Sequence, residues 1–270
     1  MAGKDGSYIG TYNGGQFWVN NPMVEDISLE EITHALAYNV RFNGHTDIFW
    51  SVAQHSLLVE RIMDDLYQER YSLNSIWNKH RACLAALLHD FSEGYMSDIA
   101  RPFKKSLPDY LKFERNVQNC INSLFEIEEI PEEIQSLIAE ADTLALAVEA
   151  NTILNPCESW IKDYEYMSDK RSNKYKHLIK NMCPDIVQSL LLQRIFYYMQ
   201  LLEIENRFKN NYELYRIFID NSNECAIIKN GKQLASFTTD SEYYIFTIKD
   251  EVKKFTHREV DNTMDLRKLL

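Results

Sequence analysis

The chain has 270 residues, enough for one substantial core plus a smaller appended unit, and its 45% apolar and 26% charged residues are those of a globular protein. Only 8 glycines and 6 prolines favour long helices over turn-rich β structure, so the expected class is mainly α. A formal net charge of −11 argues against broad binding of duplex nucleic acid, which needs Lys and Arg to neutralise phosphates, but leaves room for a small anion at a local basic cluster.

The five cysteines, Cys83, Cys120, Cys157, Cys183 and Cys225, are odd in number and form no C-x-x-C pair. Neither a disulfide framework nor a zinc knuckle is indicated, and reduced thiols in a cytoplasmic setting are expected. Residues 1–6 carry no apolar export core, and no uninterrupted apolar stretch reaches the length of a membrane span.

In chain order, residues 8–19 place Asn13-Gly14 between aromatic-rich runs, which predicts a β-hairpin covering one end of the core. Ser28-Leu29-Glu30-Glu31 reads as a capping box that opens a helix with Ile32, Ala35, Leu36 and Val40 on one side. His34 on that helix reads as a core or surface residue. A polar loop, Arg41-Phe42-Asn43-Gly44-His45-Thr46, leads to a helix over about Ser51 to Tyr67, where Val52, His55, Leu58, Val59 and Ile62 share a stripe. Tyr71 to Ser75 reads as a connection, and the next helix, about Ile76 to Asp90, ends in Leu87-Leu88-His89-Asp90.

After it, Glu93, Asp98, Arg101, Lys104 and Lys105 crowd a loop in which Pro102 is expected to end any helix. Amphipathic helices follow over 109–127 and from Pro131 to about Leu154, and the second carries Asp142 in its most apolar part. Residues 155–176 read as irregular, with the charge run Ser168 to Lys174 as a solvated loop. A last helix spans about Pro184 to Asn206. From Asn221 the pattern alternates, and Cys225–Ile228, Leu234–Phe237 and Tyr243–Ile248 predict a three- or four-stranded meander with a turn at Asn230-Gly231. Such a small sheet must pack on the helical body or on another subunit. The expected units are therefore residues 1–208 and 209–270.

His55, the His89-Asp90 pair and Asp142 each interrupt an otherwise apolar helical stretch. A buried carboxylate needs a partner, and two imidazoles with two carboxylates form a mixed nitrogen and oxygen set suited to a divalent transition metal: Mn, Fe, Co, Ni or Zn. In this H…HD…D order the chain resembles HD-domain phosphohydrolases. The stretches Ser51-Val52-Ala53-Gln54-His55-Ser56, Leu87-Leu88-His89-Asp90-Phe91-Ser92-Glu93 with Asp98 after it, and Ala141-Asp142 resemble the YfbR-like branch, which includes 5′-deoxynucleotidases and phage nucleotide phosphohydrolases. The likeness covers roughly residues 10–205, outside the β-rich tail.

The resemblance implies an HD-domain helical bundle in which His55, His89, Asp90 and Asp142 hold one metal. Glu93 would orient the attacking water or move its proton. Arg41 would bind phosphate through its planar fork. Phe42, where the best-known member has tryptophan, would stack on the base, and Asp98 would contact the sugar hydroxyl and favour deoxyribose. Arg101 and Lys104 are further phosphate candidates, whereas His45 reads equally as a structural residue. No histidine occurs between His89 and His177, which argues for a single metal and against the oxygenase and cyclic-dinucleotide branches.

The implied activity is a 5′-deoxynucleotidase releasing phosphate from deoxynucleoside monophosphates. A dNTP triphosphohydrolase of the dATP type and a non-catalytic nucleotide-binding or regulatory module are the alternatives. A homodimer or higher homo-oligomer is expected.

Overall fold

The N-terminal hairpin, as the Asn13-Gly14 pattern predicts, pairs β1 (Ile9–Gly10) with β2 (Gln16–Phe17) antiparallel. In this computed structural model the described residues are 8–71, 77–156, 158–163, 165–202 and 204, together with the backbone of 216–219, 224–229, 232–238, 245–248 and 264–265. The chain divides into two compact units, Met1–Ile204 and Glu205–Leu270. The fold is mainly α, and among the described residues no helix is long and apolar enough to cross a membrane.

In the first unit the hairpin is fastened to α1 (Leu29–Tyr38) by Thr11, whose hydroxyl donates to Glu31 Oε1 at 2.6 Å, and by Asn13, which donates to Glu30 at 3.0 Å. This alters the expected capping box. Ser28 does accept from the Glu31 amide, but the Glu31 carboxylate turns to the hairpin instead of back to the cap. His34 lies between Tyr12 and Tyr38, with ring centroids 3.6 and 4.4 Å away, so it belongs to a surface aromatic stack and not to the cluster of histidines in the core.

A reciprocal capping box does form at α2 (Val52–Arg70): Ser51 accepts from the Gln54 amide and Gln54 accepts from the Ser51 amide. α2 buries Val52, Leu58, Val59, Ile62 and Leu66 together with His55, and packs on α3 (Lys79–Leu87) and α7 (Glu132–Ile153). α9 (Pro184–Leu201) packs on α1, α2 and α3, and its Arg194 donates to buried Glu60 of α2 at 2.7 Å. α6 (Pro108–Leu124) presents Val117, Ile121 and Leu124 inward.

Two expectations fail in the connections. Pro102 does not end a helix; it occupies the first turn of the one-turn α5 (Arg101–Lys104), where its missing N–H costs nothing, just after the similarly short α4 (Glu93–Met96). The stretch 155–176 is also not irregular throughout: among its described residues are α8 (Glu158–Asp163) and three short 3-10 turns, Glu165–Ser168, Lys170–Lys174 and the start of Lys176–Leu178. The charge run folds because Arg171 pairs with Asp169 and with Glu140 of α7, while Ser172 is buried.

The second unit is an antiparallel meander of β3 (Arg216–Ile219), β4 (Glu224–Lys229), β5 (Lys232–Thr238), β6 (Ile245–Ile248) and β7 (Met264–Asp265), in that order. Among the described residues it therefore has five strands where three or four were expected. β7 is too short to show an alternating pattern, and β3 precedes the point where the alternation was recognised. The Asn230-Gly231 turn, the connection beyond Tyr71, Cys157, the end of the expected last helix and the boundary at 208 lie outside the described residues.

Gly94 fixes how closely α4 approaches α1. A Cβ there would stand 2.6 Å from Ile32 Cγ1 and 3.1 Å from the Ile32 carbonyl oxygen. Gly94→Ala is expected to destabilise the protein by about 1–3 kcal/mol through overpacking, measured by urea denaturation. Unchanged stability would mean that the two helices do not pack this tightly.

Candidate metal centre

The site is built where three helices and one closed loop meet. The capping box starts α2 at Val52, so His55 falls at the end of its first turn and points into the core, fully buried. Just before it, a bridge between Val40 and Ser51 closes the 41–50 loop, with Arg41 N donating to Trp50 O at 2.9 Å and Val52 N to Asn39 O at 2.9 Å. Arg41 and Trp50 are thereby set side by side at the base of that loop. Phe42 and Asn43 follow in the left-handed region (φ 54° and 51°), an uncommon conformation for a bulky side chain, and the Arg41 guanidinium sits 5.3 Å from the Phe42 ring centre.

His89 and Asp90 occupy the turn between α3 and α4. Gln118 of α6 braces that turn by donating to Leu88 O at 2.8 Å and accepting from Ser92 N at 3.1 Å. His89 Nδ1 lies 2.8 Å from Ala86 O, which assigns the proton to Nδ1 and leaves Nε2 as the free donor atom. In the same way His55 Nδ1 lies 2.7 Å from Glu149 Oε1, and Nε2 is left facing the site.

The ligand atoms of His55, His89 and Asp90 all lie within 4.8 Å of one another. Asp90 Oδ2 is 3.1 Å from His89 Nε2 and 3.6 Å from His55 Nε2, and Asp142 Oδ1 is 3.2 Å from His55 Nε2. Burial raises the pKa of each aspartate, but the adjacent histidines outweigh it and hold both carboxyls well below their usual range. Burial and Arg41 push His55 down, yet Glu149 and Asp142 prevail and its pKa is pushed up to about 9.

Glu93 begins α4 and is buried. One oxygen accepts from Lys104 Nζ at 2.8 Å, and Lys104 also reaches Glu114 at 2.8 Å. Burial, reinforced by Asp90 and Asp98, outweighs Lys104 and pushes the Glu93 pKa up to about 8. Arg101, whose side chain is 57% exposed, comes over the rim of the site from α5 and donates to Asp142 Oδ2. Asp98 is half-buried, close enough for its charge to act on both Glu93 and Arg41. His45 is exposed and its backbone amide closes the turn after Phe42.

Beyond Trp50, the site residue to which sequence reasoning assigns no role is Glu149. It is wholly buried on α7, two turns after Asp142 and on the same face; it accepts from Trp50 Nε1 at 2.9 Å and pairs with Arg41 Nη2 at 3.2 Å. A charged residue directly after the apolar Leu144 to Val148 run is the available signal. Arg41 is itself buried, with Nη1 4.0 Å from Asp90.

The residues present fit a metal ion. Both histidine Nε2 atoms are buried without a hydrogen-bond partner, each ring is fixed by its other nitrogen, and an anionic oxygen stands beside them. His55, His89 and Asp90 could therefore hold a metal ion.

No family model matches the chain. It is similar to the uncharacterized protein YfdR of Escherichia coli (strain K12), 29% identical over 143 residues that make up 53% of this chain and 70% of that protein. It is also similar to an uncharacterized protein of Rhodobacter capsulatus, 33% identical over 137 residues, 49% of this chain and 66% of the other.

A cation bound only by the folded site stabilises it by mass action, about 2.7 kcal/mol at a hundred times the dissociation constant. Manganese or cobalt added to metal-free protein is expected to raise the thermal midpoint, and His89→Ala is expected to remove that rise. An equal rise in the variant would put the cation elsewhere.

Proposed function

We propose that the helical unit is a metal-dependent nucleotide phosphohydrolase of the HD-domain kind, acting on deoxynucleoside 5′-monophosphates and releasing phosphate. The observation that carries this reading is the pair of buried Nε2 atoms on His55 and His89, neither in a hydrogen bond and both facing carboxylate oxygens, converging with Asp90 beside a second buried carboxyl, Glu93. Asp142, one oxygen of which faces His55, completes the set as the fourth ligand. The mixed nitrogen and oxygen donors suit one of Mn, Fe, Co, Ni or Zn.

When bound, such a cation supplies Lewis acidity, polarising a phosphoryl oxygen and making water a nucleophile at neutral pH. The protein's own groups do the rest. Glu93, with a pKa pushed up to about 8, takes and returns a proton near the attacking water. Lys104 holds Glu93 Oε1 in place and leaves Oε2 without a hydrogen bond. Arg41, paired with Glu149, lies at the floor of the site and offers its fork to phosphate oxygens. Phe42 stacks on the base and Asp98 takes the sugar hydroxyl.

A triphosphohydrolase reading is favoured by one feature, the second and third cations that α5 brings to the site. Arg101 and Lys104 lie three residues apart on one turn and both reach site carboxylates, more positive charge than a monophosphate requires.

Incubating metal-loaded protein with dAMP and dATP separates these readings by product. Phosphate from dAMP supports the monophosphatase, triphosphate from dATP supports the rival, and turnover of neither with any of the five metals rejects both. Glu93→Gln should lower kcat by about 10²–10⁴-fold with metal content unchanged; wild-type turnover in that variant would rule Glu93 out as the proton carrier.

A further inference from the structure

We infer that Glu149 is a positioning residue that couples the metal-facing histidine to the arginine at the floor of the site, so that one buried carboxylate sets up cation binding and anion binding together. The inference rests on the metal reading above and extends it to a residue that is neither a proposed ligand nor in contact with substrate.

The two oxygens of Glu149 have different tasks. Oε1 receives His55 Nδ1 at 2.7 Å and Trp50 Nε1 at 2.9 Å, while Oε2 faces Arg41 Nη2 at 3.2 Å. The first contact holds a proton on Nδ1, so a cation that binds the ring displaces the Nε2 proton and meets that nitrogen's lone pair, and a carboxylate partner raises the basicity of the ring. The second neutralises and holds a buried guanidinium whose Nε is buried without a hydrogen bond, and it is shorter than the 4.0 Å approach of Nη1 to Asp90.

The backbone makes this sharing unavoidable. The Val40 to Ser51 bridge places Arg41 beside Trp50, the capping box then places His55 one turn on, and all three side chains end on the same carboxylate. At the far end of the loop, Asp47 N donates to Ile153 O at 3.0 Å, which docks the loop on the helix that carries Glu149. A carboxylate present only to neutralise Arg41 would not need the indole and imidazole donors on its other oxygen.

Glu149→Gln keeps the shape and one acceptor but removes the charge and turns an N–H toward Arg41. Metal-free full-length protein is titrated with cobalt(II) alone, followed by its visible absorption, and the cobalt-loaded form is then titrated with inorganic phosphate. Glu149→Gln is expected to bind cobalt about 10–100-fold more weakly, with an altered absorption band, and to lose affinity for phosphate as well. Trp50→Phe, which leaves the charge in place and removes one anchor, is expected to weaken cobalt several-fold, and it decides the matter if Glu149→Gln does not fold. Cobalt affinity within twofold of wild type and an unchanged spectrum overturn the inference, as does weakened phosphate binding with cobalt binding intact. Wild-type protein that takes up no cobalt would instead overturn the metal reading beneath it.

Discussion

The structure of the helical unit depends on how a cluster of charges survives inside an apolar bundle. Arg41, His55, His89, Asp90, Asp142 and Glu149 come together where α2, α7 and the turn after α3 meet, and each would be costly to bury alone. They persist because every carboxylate faces a cation or an imidazole. Hydrophobic residues of the same volume often fill such a space as stably, so the stability of the bundle does not by itself account for the cluster.

Around this centre the surrounding elements act as braces. Gln118 fixes the His89-Asp90 turn from α6, the Ser51 and Gln54 box fixes the first turn of α2, and Gly94 lets α4 approach α1 closely enough to seat Glu93 at the edge of the cluster. The rim is looser by construction. α5 buries none of its residues and is joined to the site by ion pairs from Arg101 and Lys104, while Phe103 on its outer side is 65% exposed. A rigid floor and a lightly held rim suit a site that admits and releases a ligand.

Much of this was legible in the sequence, for physical reasons that differ from element to element. The long helices and the hairpin follow from apolar periodicity and the Asn13-Gly14 turn, and His55, His89, Asp90 and Asp142 stand out because polar groups interrupt apolar stretches. Glu149 was not recognised, since its partners Arg41 and Trp50 are distant in sequence and meet it only after a bridge closes the 41–50 loop. Pro102 read as a stop because its effect depends on whether a helix arrives or begins there, which only the tertiary path decides. The 155–176 segment reads as irregular because its short turns are set by packing and by the Arg171 pairs, not by periodicity.

The central claim is that two histidines and the aspartates beside them hold one catalytic cation. Anomalous diffraction from crystals grown with cobalt tests it most directly. A single anomalous peak within bonding distance of His55 Nε2, His89 Nε2, Asp90 and Asp142 is the expected result. A peak away from the histidines, or ordered protein with no peak at saturating cobalt, would contradict the account.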